Sequence, residues 1–491
     1  MVFSSPLFLF LFLPLTLLIG LSLKNTQIRN VFLLAVSMLF YAWGEGAFLL
    51  LMLLSILINY FFAFLLEDSH LVAPKRALAY AVIANLSLLV FFKYANFIVN
   101  NLNYLVVYAG YEKIVMKEVH LPLGISFYTF HSLSYVIDLY RKQTKGEYTD
   151  VKKASLPNLA LYIMFFPQLV AGPIIRYHDV AAQLLTRATT IDKFATGVRR
   201  FTLGLGKKVL IANAMGGVAD KIFAIPGHEL TAPLAWLGVV TYSLQIYFDF
   251  SGYSDMAIGL GRMFGFEFLE NFNYPSIAKS IREFWQRWHI SLSRWFRDYL
   301  YVPLGGNRVS TGRLYLNLLI VFFCTGFWHG ASWNFVVWGL FHGLFMVLER
   351  LGLEKLLKRV WSPVAHVYAL SIVLVGWVFF RADTFQYAAA FLKAMAGLGA
   401  GNGMLYPMGT FLNNEILIVL PVGIIFSAPV VPLIATLYDR LKLILEENLF
   451  LSDIYKFSMS GLYIVFLFLA LLASAMSLAT GTYNPFIYFR F

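Results

Sequence analysis

The sequence predicts an all-helical, polytopic membrane protein. Of 491 residues, 59% are hydrophobic and only 13% charged. The apolar residues also gather in blocks of roughly twenty, the length that crosses a bilayer core. Backbone groups inside lipid must be satisfied within the chain, so these blocks are read as helices rather than open strands.

In chain order the candidate spans are Leu7–Leu23, Val31–Ala42, Phe48–Leu66, Ala77–Phe92, Leu121–Leu139, Leu159–Ile174, Phe201–Met215, Leu234–Phe250, Leu314–Phe327, Trp333–Leu348, Val367–Phe380, Ile416–Leu433 and Leu462–Ala479. The first has no positive charge before it, Lys24 and Arg29 after it, and no small-residue cleavage site, so it reads as an uncleaved span. By the positive-inside rule the loop after Leu23 is cytoplasmic and Met1 lies outside. The formal net charge of +12 is spread over many short loops, which fits anchoring against membrane lipids and not a nucleic-acid surface. Cys324, the single cysteine, excludes an intramolecular disulfide and a cysteine metal cluster; no metal site is assigned. With no fixed-period repeat and no long soluble linker, residues 1–491 read as one membrane domain.

One polar stretch differs from an ordinary loop. On a helical wheel of Arg282–Asp298, Phe284, Trp285, Trp288, Leu292, Trp295 and Phe296 share one arc, with Ile290 out of place. The opposite half carries Arg282, Arg287, Arg294 and Arg297, and His289 falls on the border. Such a helix lies along an interface or lines a wet cavity; a plain amphipathic anchor is the bland alternative.

From Leu314 to Leu348 no side chain is charged, which suits two spans joined by a break near Gly326–Ser332. Phe327-Trp328-His329-Gly330 then sits at the turn, about 24 Å along the helix axis from Arg313, and the two glycines leave room for bending or for close approach of a substrate. A histidine at membrane depth is costly unless partnered or hydrated, so His329 is a functional candidate. His342 reads as a helix-packing histidine, and His131 as a packing or cavity-lining one.

These residues resemble a known family, the membrane-bound O-acyltransferases, in the bacterial branch similar to alginate O-acetyltransferases. The resemblance rests on Glu283-Phe284-Trp285-Gln286-Arg287-Trp288-His289-Ile290-Ser291-Leu292-Ser293, continuing through Trp295-Phe296-Arg297-Asp298-Tyr299-Leu300 to Pro303-Leu304-Gly305-Gly306-Asn307, and on Gly326-Phe327-Trp328-His329-Gly330. Leu123–Phe130, Phe166–Pro173 and Asp249–Asp255 fit the same branch, with His131 where glutamine is expected, so the family-like core covers about residues 120–350. The resemblance implies a ring of tilted helices around a central tunnel. It makes His329 the catalytic histidine and His289 the second signature histidine. It also implies acetyl-CoA as cytosolic donor, a polysaccharide acceptor beyond the bacterial inner membrane, and a separate periplasmic SGNH-type protein that completes the transfer.

Acyl transfer from a thioester needs a base and a holder for the developing oxyanion. His329 is assigned as general base toward an acceptor hydroxyl, and His289 as the group that orients the thioester or stabilises charge. Arg282, Arg287, Arg294 and Arg297 are candidate contacts for the CoA phosphates, although lipid phosphate is the other partner such arginines take. Cys324 as a covalent acyl carrier is disfavoured by its apolar surroundings. Two rivals keep the fold and change the cargo or acceptor: O-acetylation of peptidoglycan, or D-alanylation of teichoic acid. A third, from another class, is a transporter or flippase, which the missing paired broken helices argue against.

Overall fold

The computed structural model describes residues 1–484 except Ser69, Ala171 and Thr482, and among these it is built from helices and loops without a strand. Ala171 of the Phe166–Pro173 segment and the final residues 485–491 lie outside the description.

The apolar runs separate into two kinds of helix. The labelled elements are α1 (Thr26–Glu45), α2 (Phe48–Glu67), α3 (Pro74–Tyr108), α4 (Ile125–Lys145), α5 (Ala232–Met263), α6 (Ile281–Arg287), α7 (Ile290–Phe296), α8 (Thr311–His329), α9 (Trp333–Leu357), α10 (Ser362–Arg381) and α11 (Leu449–Ala479). Of these, α2, α3, α8, α9, α10 and α11 are long and apolar enough to cross a membrane, and they present most of their surface outward. That is the behaviour of helices whose solvent is lipid.

Helices α4 and α5 are different. On α4, Ser126, Thr129, His131, Ser132, Ser134 and Asp138 are all buried, and on α5 so are Thr241, Gln245, Asp249, Ser251 and Ser254. Polar groups at membrane depth need partners or a cavity, so these helices belong to the protein interior; α2 and α3 pack on α4, while α5 packs chiefly on the helices Ile191–Gly206 and Asn213–Phe223.

Two of the sequence-derived spans are interrupted. The run Leu159–Ile174 contains a helix over Leu156–Met164 and a single turn at Phe166–Leu169, because Pro167 starts a new turn instead of continuing the old one. Ile416–Leu433 bends by 66° between Asn414–Phe426 and Val430–Leu445, at a break that includes Pro429.

The expected break after α8 is present: His329 is the last helical residue, Gly330 is extended, and α9 starts at Trp333. The two glycines serve packing more than substrate approach. A Cβ on Gly326 would meet the Phe335 carbonyl and lie 3.1 Å from the Cα of Gly339, while a Cβ on Gly330 would run into the Phe335 ring. α8 and α9 therefore touch backbone to backbone, the small-residue contact that holds helices together where lipid offers no hydrophobic drive.

Candidate active site

The continuous helix expected over Arg282–Asp298 is in fact two short ones, α6 and α7, broken at Trp288 and His289. Trp288 is extended, and His289 adopts a left-handed backbone at φ 44°, ψ 53°. For a residue with a Cβ this conformation costs about 1–2 kcal/mol, so the surroundings must hold it. They do so through an extended segment: Asn273 N–H donates to Arg287 O at 2.9 Å, and Ile290 N–H donates to Asn271 O at 2.9 Å. Periodicity could not reveal the break, because residues on both sides keep the apolar phase of one helix. Ile290, off the apolar arc, was the one local sign.

The same segment orients the His289 ring. Asn271, itself buried, presents Oδ1 to His289 Nδ1 at 3.1 Å, and accepts from the Ser291 N–H at 3.2 Å and the Ser291 hydroxyl at 2.8 Å. Since an amide oxygen only accepts, the proton on His289 belongs to Nδ1 and the lone pair to Nε2. Nε2 is buried and has no hydrogen-bond partner among the described residues. The ring stands edge-on to Phe250, with centres 4.6 Å apart.

His329 reaches the same tautomer by another route. Its Nδ1 lies 2.7 Å from the Thr325 carbonyl one turn back on α8, so Nδ1 donates and Nε2 keeps the lone pair. The ring packs edge-on against Trp328 at 4.9 Å, Trp338 at 4.8 Å and Phe380 at 5.5 Å. Trp328 also neighbours His289, at 6.3 Å between ring centres.

Two cavities flank this cluster. The first, of about 280 Å³, is lined by His329 and Trp328 together with Glu45, Lys93, the stretch His120–Phe127, and Val170. The second, of about 730 Å³, is lined by four cations, Arg141, Lys145, Arg176 and Arg297, and by the carboxylates Glu147 and Asp298, a net excess of two positive charges. α1 leads from Thr26, beside Lys24 and Arg29, to Glu45 in the first cavity, whereas α4 leads from the first cavity at Ile125 to the second at Lys145. The second cavity thus lies at the Lys24 end of α1, and the His329 cavity at its Glu45 end.

Between them runs one face of α4. Phe127 borders the first cavity, Ile137 and Arg141 the second, and Phe130 and Leu133 lie between at helical spacing. Phe130 is sandwiched by Trp295 (3.7 Å, 3°) and Trp328 (5.3 Å, 18°). On that face the two cavities are separated by a three-ring stack.

The arginines divide. Arg297 lines the second cavity. Arg282 pairs instead with Glu354 at 3.3 Å, Arg287 pairs with Glu283 at 2.9 Å, and Arg294 is exposed; none of these three borders that cavity. These arginines share a face only on one straight helix, and the break at Trp288 and His289 separates them. The cavity's remaining cations come from elements that the wheel did not include: Arg141 and Lys145 at the end of α4, and Arg176.

Arg176 is fixed by Asp179 at 2.8 Å and by Asp298, and Asp298 also accepts from Arg297. Burial works against the Arg176 charge, but the two carboxylates outweigh it and raise the guanidinium above its ordinary value. Beneath this pair, Tyr299 donates to buried Asp138 at 2.7 Å, and burial followed by that carboxylate pushes the phenol far above its usual range.

Of the remaining sequence candidates, His342 packs against Phe284, Trp285 and Trp338. His131 is buried beside Tyr162. Cys324 lies at the margin of the aromatic cluster that contains Trp328. Sequence reading missed Asn271 and Lys93. Nothing local marks Asn271; Lys93 is the one charged residue between Arg76 and Glu112 and lies one residue beyond the Ala77–Phe92 run.

Comparison with known proteins adds an independent line. The match to "MBOAT, membrane-bound O-acyltransferase family" spans residues 38–354 and so includes His289, His329 and both cavities. The chain is 45% identical over 402 residues to the probable alginate O-acetylase AlgI of Pseudomonas aeruginosa, covering 81% of this chain and 75% of that protein. It is 37% identical over 427 residues to the peptidoglycan O-acetyltransferase of Helicobacter pylori, covering 81% and 80%. With the teichoic acid D-alanyltransferase of Bacillus subtilis it shares 28% over 285 residues, covering 54% and 70%. A multi-pass helical protein with this extent of match is a member of the membrane-bound O-acyltransferase family, and with it an O-acyltransferase.

Proposed function

We propose that the protein sits in a bacterial inner membrane and takes an acetyl group from cytosolic acetyl-CoA for the O-acetylation of an extracytoplasmic, alginate-like polysaccharide. The observation that carries this reading is the tautomer of His329. With Nδ1 bound to Thr325 O, the Nε2 lone pair is the ring's free basic site, and the residue lines a cavity on the side opposite the cationic chamber. The cationic chamber, with Arg141, Lys145, Arg176 and Arg297 on its wall, suits the CoA phosphates.

In the reaction, His329 Nε2 takes the proton of an acceptor hydroxyl as its oxygen attacks the thioester carbonyl. Collapse of the tetrahedral intermediate breaks the C–S bond. The proton then passes from His329 to the departing sulfur, giving the acetyl ester and CoA thiol. His289, with its own free Nε2 beside Trp328, orients the thioester.

The higher identity to the alginate O-acetylase than to the peptidoglycan and teichoic acid enzymes supports an alginate-like acceptor and an acetyl cargo. A cavity of about 280 Å³ is at the small end of ligand sites, which run from roughly 300 to 1,000 Å³. It has room for a sugar unit or one side chain, and the acceptor is delivered through a separate periplasmic acetyltransferase protein of the SGNH type.

The test uses purified protein in vesicles with acetyl-labelled CoA and a soluble oligosaccharide or the partner protein. We expect His329-dependent release of CoA thiol and ester formation, both abolished in His329→Ala. Thiol release that survives this substitution would remove the base assignment, and movement of label without ester formation would make the protein a transporter.

A further inference from the structure

Lys93 is the one charged residue between Arg76 and Glu112, buried, and on the wall of the cavity that holds His329. It sits in a π turn, Val90–Tyr94, inserted in α3. Such insertions carry a backbone cost and gather at functional positions. Here the wider turn aims two successive side chains at the end of α8. Tyr94 donates its hydroxyl to Phe327 O at 2.7 Å, and Lys93 donates from Nζ to Trp328 O at 2.5 Å. Lys93 also donates to the Ser126 hydroxyl at 3.1 Å.

Two of the three ammonium donors are thereby used, and both anchors are neutral oxygens. Among the described residues no ion pair forms at Nζ; the carboxylate on the same cavity wall, Glu45, lies 3.9 Å from His120 instead. A helix end needs its last carbonyls satisfied, and the Tyr94 hydroxyl shows that a neutral donor performs this at Phe327. A full charge in the same place costs several kcal/mol more to bury, so capping alone does not account for a lysine. What accounts for it is an anion that is present only part of the time.

We propose that Lys93 is a catalytic residue, its third N–H binding the acetyl carbonyl oxygen and stabilising the negative charge that forms there during transfer. The assignment rests on the acyltransfer reading above. As the acceptor oxygen bonds to the carbonyl carbon, the carbonyl π pair moves onto oxygen, facing Nζ. When that pair returns, the C–S bond breaks and sulfur takes the proton held by His329. The bonds to Trp328 O and Ser126 fix Nζ before the charge appears, which is the condition under which such a donor is most effective. The bond to Trp328 O also ties Nζ to the residue next to His329, so base and oxyanion donor keep one spacing.

The test compares acetyl-CoA with its dithioester analogue, in which C=S replaces C=O and accepts hydrogen bonds poorly. Wild type, Lys93→Met and Ser126→Ala are assayed in vesicles. For Lys93→Met we expect kcat to fall about 10²–10³-fold, the loss typical of one oxyanion donor. KM for acetyl-CoA should stay within about twofold, and the wild-type preference for the oxygen thioester should collapse. Ser126→Ala keeps the charge and removes one anchor, so it tests the same point even if Lys93→Met does not fold. It should lose about tenfold in kcat with a weakened preference, since Nζ is then held at one point. Folded variants that keep the full wild-type preference would overturn the assignment and leave Lys93 a helix cap. Wild type that forms no ester at all would instead overturn the acyltransfer reading.

Discussion

His289 and His329 are joined through one side chain, the Trp328 indole, whose ring centre lies 6.3 Å from the first imidazole and 4.9 Å from the second. Neither histidine reaches this position from a regular helix interior. His289 sits in a left-handed break between α6 and α7, and His329 ends α8. Each is held through Nδ1, by Asn271 and by Thr325 O, so the two rings offer Nε2 in the same protonation form. The arrangement is a pair of matched acceptors on either end of one tryptophan, and its parts are separately testable.

Asn271→Ala should lower kcat by about tenfold or more, equivalent to 1.4 kcal/mol of barrier. Asn271 Oδ1 accepts from His289 Nδ1 and from both Ser291 donors, so its loss frees the tautomer and strands buried groups. The stranding costs about 1–3 kcal/mol of stability. Asn271→Asp keeps an oxygen for Nδ1–H and should retain more activity. Equal rates for the two variants, measured on folded protein, would detach His289 orientation from catalysis.

Lys145→Ala and Arg297→Ala should each raise KM for acetyl-CoA about five- to twentyfold, with kcat within about twofold, because a charge on the cavity wall contributes to binding in ground and transition states alike. Arg282→Ala and Arg294→Ala should leave both constants near wild type, since neither borders the second cavity and Arg282 is engaged with Glu354. Added salt should raise KM in wild type and less in the first pair. A larger effect from Arg282 than from Lys145 would move the donor mouth to the other side of α6.

Gly326→Ala and Gly339→Ala should each destabilise the protein by about 1–3 kcal/mol, the usual cost of overpacking. A Cβ on Gly326 meets the Phe335 carbonyl and one on Gly339 the Phe322 carbonyl, and neither is a flexible side-chain end that can move aside. Thermal unfolding in detergent reads this directly. Unchanged midpoints would mean that α8 and α9 separate at little cost.

Much of this architecture was legible in the residues, and the limits have physical causes. The apolar spans, the break after His329 and the signature blocks around His289 and His329 announce themselves by composition and by contiguous motif. The break at Trp288–His289 does not, because a left-handed residue is imposed by pairing with the distant Asn271–Asn273 segment and leaves the apolar phase on both sides intact. The cationic chamber was hidden for a similar reason. Arg141, Lys145, Arg176 and Arg297 come from three separate stretches and meet only through tertiary packing. Lys93 was visible as an isolated charge, but a π turn that aims it at α8 has no signature in periodicity.

Phe130 closes the set. It is the middle ring of the Trp295–Phe130–Trp328 stack, on the α4 face that separates the two cavities. If the stack keeps water of the second cavity from a thioester carbonyl held between His329 and Lys93, Phe130→Ala should open a wet connection between the two cavities. Acetyl-CoA hydrolysis without acceptor should then rise severalfold relative to productive transfer, as water competes with the acceptor hydroxyl for a carbonyl no longer shielded. The substitution also forfeits two ring pairs of about 0.5–1.5 kcal/mol each and leaves a cavity worth about 3–5 kcal/mol in total. The assay therefore belongs well below the unfolding midpoint, with Phe130→Leu, which fills most of the space, as the intermediate case. Hydrolysis should rank wild type, Leu, Ala in increasing order. A Phe130→Ala enzyme that stays folded and keeps the wild-type ratio of transfer to hydrolysis would show that the barrier lies elsewhere in the passage.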